Sequence, residues 1–135
     1  MLYPARFLVL LSSILIVGCA TGPSGMTFDS PIGEWNEKVE KKSGGHGASI
    51  LTILDETKAI YTNPSGRIEF HTIDAKRKWT GYWILENSHN PCSEKKSGSL
   101  HWGETIYQFN ETYNQYTGTW DNCGEGRKYK ISGVR

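Results

Sequence analysis

Turn-forming clusters recur along this chain at short intervals, and their spacing limits what it can fold into. Asp55-Glu56-Thr57, Asn63-Pro64-Ser65-Gly66, Asp74-Ala75-Lys76-Arg77 and Gly124-Glu125-Gly126 punctuate runs of alternating apolar and polar residues. From Ile32 onward no run shows a helical period, and the runs are strand-length. The candidate strands are Ile32–Glu40, Ala48–Asp55, Lys58–Asn63, Gly66–Asp74, Lys78–Glu86, Ser97–Trp102, Thr105–Asn110, Tyr113–Asp121 and Arg127–Val134. Short strands joined by tight turns predict an all-β domain. The expected form is a small antiparallel up-and-down β-barrel of about 8 strands, with a two-sheet sandwich as the alternative. Closure into a barrel removes the edges that a lone small sheet would expose.

The first 31 residues lie outside this pattern. Met1 to Arg6 carries one positive charge, and Phe7 to Val17 is apolar apart from Ser12 and Ser13. The apolar run is too short to span a membrane and has the anatomy of a signal peptide, an N-terminal signal helix followed by a cleavage site. Ile16-Val17-Gly18-Cys19 resembles the lipobox of bacterial lipoproteins. That resemblance implies cleavage before Cys19, a thioether-linked lipid on Cys19 and acylation of the new amino terminus. The expected location is therefore the cell envelope, with the lipid in the membrane. Ala20 follows the cysteine where an aspartate would direct retention, which in a Gram-negative host implies the outer membrane. One acyl chain binds a membrane marginally, whereas two or three hold it. Residues 1–18 are thus read as the signal peptide, 19–31 as the anchored cysteine and a flexible tether, and 32–135 as the barrel domain. A flexible tether of this length reaches about 20 Å.

Cleavage removes Arg6 alone among the charged residues, so the mature chain has a net charge of zero. A neutral chain offers no electrostatic argument for nucleic acid as a partner. A core built from so few residues needs reinforcement. With Cys19 lipidated, Cys92 and Cys123 remain as a pair in an oxidising compartment, where a disulfide is the default. A metal pair is the alternative, with His89 three residues before Cys92, but neither cysteine has a second Cys or His at metal-ligand spacing. No metal and no cofactor beyond the covalent lipid is expected.

Trp79-Thr80-Gly81-Tyr82-Trp83 and Tyr116-Thr117-Gly118-Thr119-Trp120 share an aromatic-Thr-Gly-X-Trp pattern. On a strand the outer aromatics and the glycine share one face, and the glycine leaves room for a large side chain from a neighbouring strand. Such rings either fill a core or wall a ligand site. Gly33-Glu34-Trp35 opens the domain with a related triplet. This Gly-X-Trp on a first strand resembles lipocalin and avidin-like (calycin) barrels, in which a basic residue near the last strand packs over the tryptophan. The resemblance assigns that place to Arg135 or Arg127. It covers one tripeptide, one arginine, the length and the strand count, and it implies an architecture rather than a ligand.

Catalytic signatures are missing: there is no Gly-X-Ser-X-Gly elbow, no His-Glu-X-X-His, no phosphate-binding loop and no dinucleotide fingerprint. His46, His71, His89 and His101 are scattered, with His71 and His101 set opposite the apolar face of their strands. Glu69 and Glu104 are the remaining carboxylate pair, with no spacing that favours them. The chain therefore reads as a binding protein and not an enzyme. The first expectation is a small hydrophobic or aromatic ligand in the lumen, touched by Trp35, Trp83, Trp102 and Trp120. The second is an envelope protein partner, such as a wall-degrading enzyme to be inhibited. It would be met by the loop around Cys92 and His89 or by a patch of Tyr82 and Ile84, unless the tether near Met26 and Phe28 covers that patch. The third is a structural lipoprotein without a ligand. The Lys41–Gly47 segment is glycine-rich and basic, and is either a lid over a barrel mouth or an ordinary hairpin loop.

Overall fold

The computed structural model describes residues 26–126 and 128–135. The lipobox with Cys19, and Arg127, lie outside the described residues. Eight strands follow in chain order: β1 (Gly33–Glu40), β2 (His46–Ile53), β3 (Lys58–Tyr61), β4 (Gly66–Ile73), β5 (Lys78–Leu85), β6 (His101–Phe109), β7 (Gln115–Trp120) and β8 (Tyr129–Val134). Each pairs antiparallel with the strand before it, and β8 returns to β1, so the sheet is a closed barrel. The up-and-down barrel is the predicted fold, with one correction to the strand list. Ser97–Trp102 and Thr105–Asn110 are not two strands: His101–Phe109 runs unbroken, and Gly103 sits in the middle of the ladder opposite Trp83.

The period-2 alternation of the sequence sets the inside and outside of the wall. Trp35 and Glu37 of β1, Ser49, Leu51 and Ile53 of β2, Ala59 of β3, and Ile68 and Phe70 of β4 are buried on the inner face. Trp79 of β5, Thr105, Tyr107 and Phe109 of β6, Tyr116 of β7 and Ile131 of β8 complete it. The register slips between Phe70 and Thr72, a bulge that leaves His71 without a cross-strand partner and turns it outward onto Tyr82, ring centroids 4.7 Å apart.

Two glycines of the aromatic-Gly-Trp pattern act differently from the expectation. At Gly81 and Gly118 a Cβ would meet backbone of the neighbouring strand, the Glu69 and Ile106 carbonyls, so the space is taken by main chain and not by a large side chain. The rings instead lie over two glycines the pattern does not contain. The Trp83 indole covers Gly103, and the Tyr116 ring covers Gly133. Both repeats thus place a ring against a glycine, but on the next strand round the barrel.

The two ends of the barrel are unlike. One end holds the start of β1, the turns after β2, β4 and β6, and the last residue of β8. It is filled by rings: Trp35 contacts Phe109 and Tyr116 at centroid distances of 5.3 and 5.1 Å, and Trp79 contacts Phe70 and Phe109 at 5.0 and 5.8 Å. Arg135 lies over the Trp35 ring at 4.4 Å and is covered in turn by Phe28 at 3.8 Å. Its guanidinium donates to the carbonyls of Tyr113, Ile32 and Ser30. Of the two candidates for a basic residue over Trp35, Arg135 therefore holds the position. Residues 28–31, assigned above to the tether, are docked here. Phe28 N–H donates to Thr112 O at 2.9 Å, and Pro31 O accepts from Trp35 Nε1 at 2.8 Å. The cover they provide is over Arg135 and not over Tyr82 and Ile84.

Candidate functional site

The opposite end of the barrel is a cup. A cavity of about 400 Å³ descends inside the barrel, lined by residues from all eight strands. Its rim carries the exposed residues Lys41, Lys42, Asn63, Pro64 and Asn90, so it opens to solvent. Its walls are apolar and aromatic: Val39, Tyr61, Ile68, Trp83, Leu85, Tyr107, Trp120 and Ile131. A volume in this range suits a small organic molecule.

The two indole walls are each fixed by a hydrogen bond that also removes a donor from the cup. Trp83 Nε1 donates to Asp121 O at 2.7 Å, and Trp120 Nε1 donates to Glu40 O at 3.0 Å, so both indoles show only ring carbon to the cavity. Trp83 and Trp120 meet edge to face at 6.0 Å, and Trp120 stacks on Tyr129 at 4.6 Å. Asp121 is almost fully buried at the mouth. Its carboxylate accepts from Glu104 N–H at 2.7 Å, Gly124 N–H at 3.3 Å and Lys128 Nζ at 3.2 Å. It ties the end of β7 to β6.

Glu37 is set in the cup as a buried carboxyl, 8% exposed. Tyr116 Oη donates to its Oε1 in a short bond, and the Ser49 hydroxyl lies beside it. No salt bridge reaches Glu37 among the described residues; the Lys and Arg ion pairs lie with Glu69, Glu104, Glu111 and Asp121. Burial holds its carboxyl above the usual glutamate range, against the downward pull of the Tyr116 hydroxyl. The hydroxyls of Tyr61, Tyr107 and Tyr116 are all pushed up, by burial first and then by the nearby Glu37 charge, and they stay protonated at neutral pH.

The four tryptophans named as ligand contacts separate into three places. Trp83 and Trp120 line the cup. Trp35 is fully buried in the plug at the far end, away from the cavity lining. Trp102 faces the outside of the wall, where its Nε1 donates to Glu94 O at 2.8 Å and its ring packs edge to face on Tyr82 at 5.8 Å. The proposed Tyr82 and Ile84 patch is also altered. Ile84 is fully buried, because the segment after β5 folds back over this side of the barrel. Arg67 donates to Ser97 O, Ser97 bonds Glu69, and Lys96 lies over the rings of Tyr82 and Trp102 at 4.4 and 5.0 Å. His89 is exposed on this segment.

Cys92 and Cys123 form the disulfide, with a Cα separation of 5.4 Å, so the pair is not available to a metal. No group of three or more metal-ligating side chains occurs among the described residues. His101 corrects the expectation that it faces outward: it lies on the inner side of β6, opposite Leu85, and bonds the Ser88 hydroxyl at 2.8 Å beside the mouth. Glu69 and Glu104 are on the outer wall, held by Arg67 and by Lys128. The Lys41–Gly45 turn is tight, closed by Lys41 N–H to Gly45 O and Gly44 N–H to Lys41 O at 3.0 Å each, and it borders the cup without covering it.

Sequence reasoning did not single out Glu37, Tyr61 or Tyr107 as parts of a cup. The signal for Glu37 was present in β1, where a charged residue shares its face with Trp35 and Val39. The fold and this one-ended cup define the chain as a small closed β-barrel with an aromatic pocket. No protein-family model, curated protein or solved structure matches the chain.

Proposed function

We propose that this protein is a non-catalytic binding protein of the bacterial envelope, holding a small flat apolar or aromatic molecule in the cup. The observation that carries the reading is the pairing of Trp83 and Trp120 over an apolar cavity of about 400 Å³ that opens at one end. Aromatic walls with a small number of placed polar groups are what small-molecule sites are made of. The lipobox supports attachment through lipid on Cys19.

Indole is the simplest probe of the cup. Calorimetric titration is expected to show saturable binding to the wild type and loss of at least about tenfold in affinity with Trp120→Ala, because one wall of a desolvated aromatic site is removed. Heat indistinguishable from dilution with the wild type would contradict the reading. The anchor has its own test. Cys19→Ser is expected to move the chain from the membrane fraction to the soluble fraction, and retention in the membrane would rule the lipid out as the anchor.

A further inference from the structure

Resting on the reading of the cup as a ligand site, we propose that its ligand is a small aromatic amine, whose ammonium group is received by Glu37 and whose ring lies against Trp83 and Trp120. Both indole donors and several of the hydroxyls that line the cup are spent within the protein. Trp83 Nε1 gives its hydrogen to Asp121 O, Trp120 Nε1 to Glu40 O, Ser49 Oγ to Thr62 O at 2.6 Å, Thr105 Oγ1 to Thr119 O at 3.3 Å and Tyr116 Oη to Glu37. Glu37 adds acceptor capacity to the cup. A carboxylate has about four lone-pair sites, and Glu37 borders the cavity with one of its oxygens bonded to Tyr116. An apolar cup with a buried carboxylate open on one side is matched by a ligand that donates.

Charge narrows the class further. A buried carboxylate without a counter-ion is costly, and such groups are kept where they are used. Arg67 and Lys128 are committed to Glu69, Glu104 and Asp121. The bound ammonium would supply the missing positive charge. The rings of Tyr61, Trp83 and Trp120 would face the cation with their negative faces, an attraction that grows when water is excluded. Lys41 and Lys42 stand on the exposed rim, where salt screens them, and they oppose a cation less than the desolvated floor attracts it.

The test compares tryptamine with tryptophol, its neutral hydroxyl counterpart, on the oxidised full chain by calorimetry, with indole as the control for the cup. Tryptamine is expected to bind about tenfold or more tighter than tryptophol, and Glu37→Gln is expected to reduce that preference to less than about twofold while indole still binds. Equal affinity of the two probes for the wild type overturns the amine inference and leaves the cup standing. A tryptamine preference that survives in Glu37→Gln overturns Glu37 as the receiving group. Failure of indole, tryptophol and tryptamine alike overturns the cup and the inference together. Should Glu37→Gln not fold, Glu37→Asp draws the charge back by one methylene, and an unchanged tryptamine preference there counts against the proposal.

Discussion

Trp35→Ala is expected to lower the unfolding free energy by about 3–5 kcal/mol, the range for removing a large aromatic side chain from a packed core. Trp35 is fully buried, touches Phe109 and Tyr116, donates to Pro31 O and supports Arg135. Its loss opens a void in the plug and releases Arg135 and residues 28–31 from their common seat. Trp120→Ala gives the contrast. Trp120 is half-buried at the edge of an existing cavity, so its removal enlarges open space instead of creating a sealed void, and about 1–2 kcal/mol is expected. Urea midpoints of the two variants measured side by side check the assignment. Equal losses would mean that the two rings do the same job.

Loss of the disulfide is expected to have the next largest effect. The Cys92–Cys123 bond spans a sequence separation of 31, and the chain-entropy model values a loop of that size at about 3–4 kcal/mol. The bond joins the long segment after β5 to the one after β7, both at the mouth. Backbone bonds from Cys92 N–H to Leu100 O at 2.6 Å and Cys123 N–H to Trp102 O at 2.9 Å hold the two sulfurs against the outer wall. The double variant Cys92→Ser, Cys123→Ser should therefore unfold at much lower urea concentration while keeping the ladder of β1 to β8 in the absence of denaturant. A loss of less than about 1 kcal/mol would show that the mouth segments are held by their other contacts, chiefly Arg67 to Ser97 and Trp102 to Glu94.

The barrel was legible because its information is local. Alternation with period 2 and turn clusters depend only on neighbours in the chain, and β1, β4 and β5 read off almost residue by residue. Gly103 was misread because a glycine between Trp102 and Glu104 looks like a turn. A side chain there would meet Asp121 O and the Trp83 indole, contacts no local pattern contains. The same limit applies to the site. Trp83 and Trp120 share a repeat, and the structure places both in the cup. Trp35 and Trp102 look equally suitable in the sequence, yet one plugs the far end and the other faces outward. Distinguishing them requires knowing which end of the barrel each strand position reaches, and that is set by the register of strands distant in sequence. Glu37 was hidden for a simpler reason. A charge in Gly-Glu-Trp-Asn-Glu-Lys-Val-Glu reads as the polar face of a strand until its parity with Trp35 and Val39 is counted. The covering of Ile84 was invisible because it depends on the docking of a long loop.

The central claim is that the cup, and not the outer wall or the plug, takes a small aromatic molecule. The chain has five tryptophans, and each gives its own indole N–H resonance. The direct measurement is a titration of the nitrogen-15 labelled chain with indole, followed at those resonances. The account predicts that Trp83 and Trp120 shift together and saturate, while Trp35 in the plug and Trp102 on the outer wall stay in place. Movement led by Trp102, or no movement at Trp83 and Trp120 at saturating probe, would contradict it.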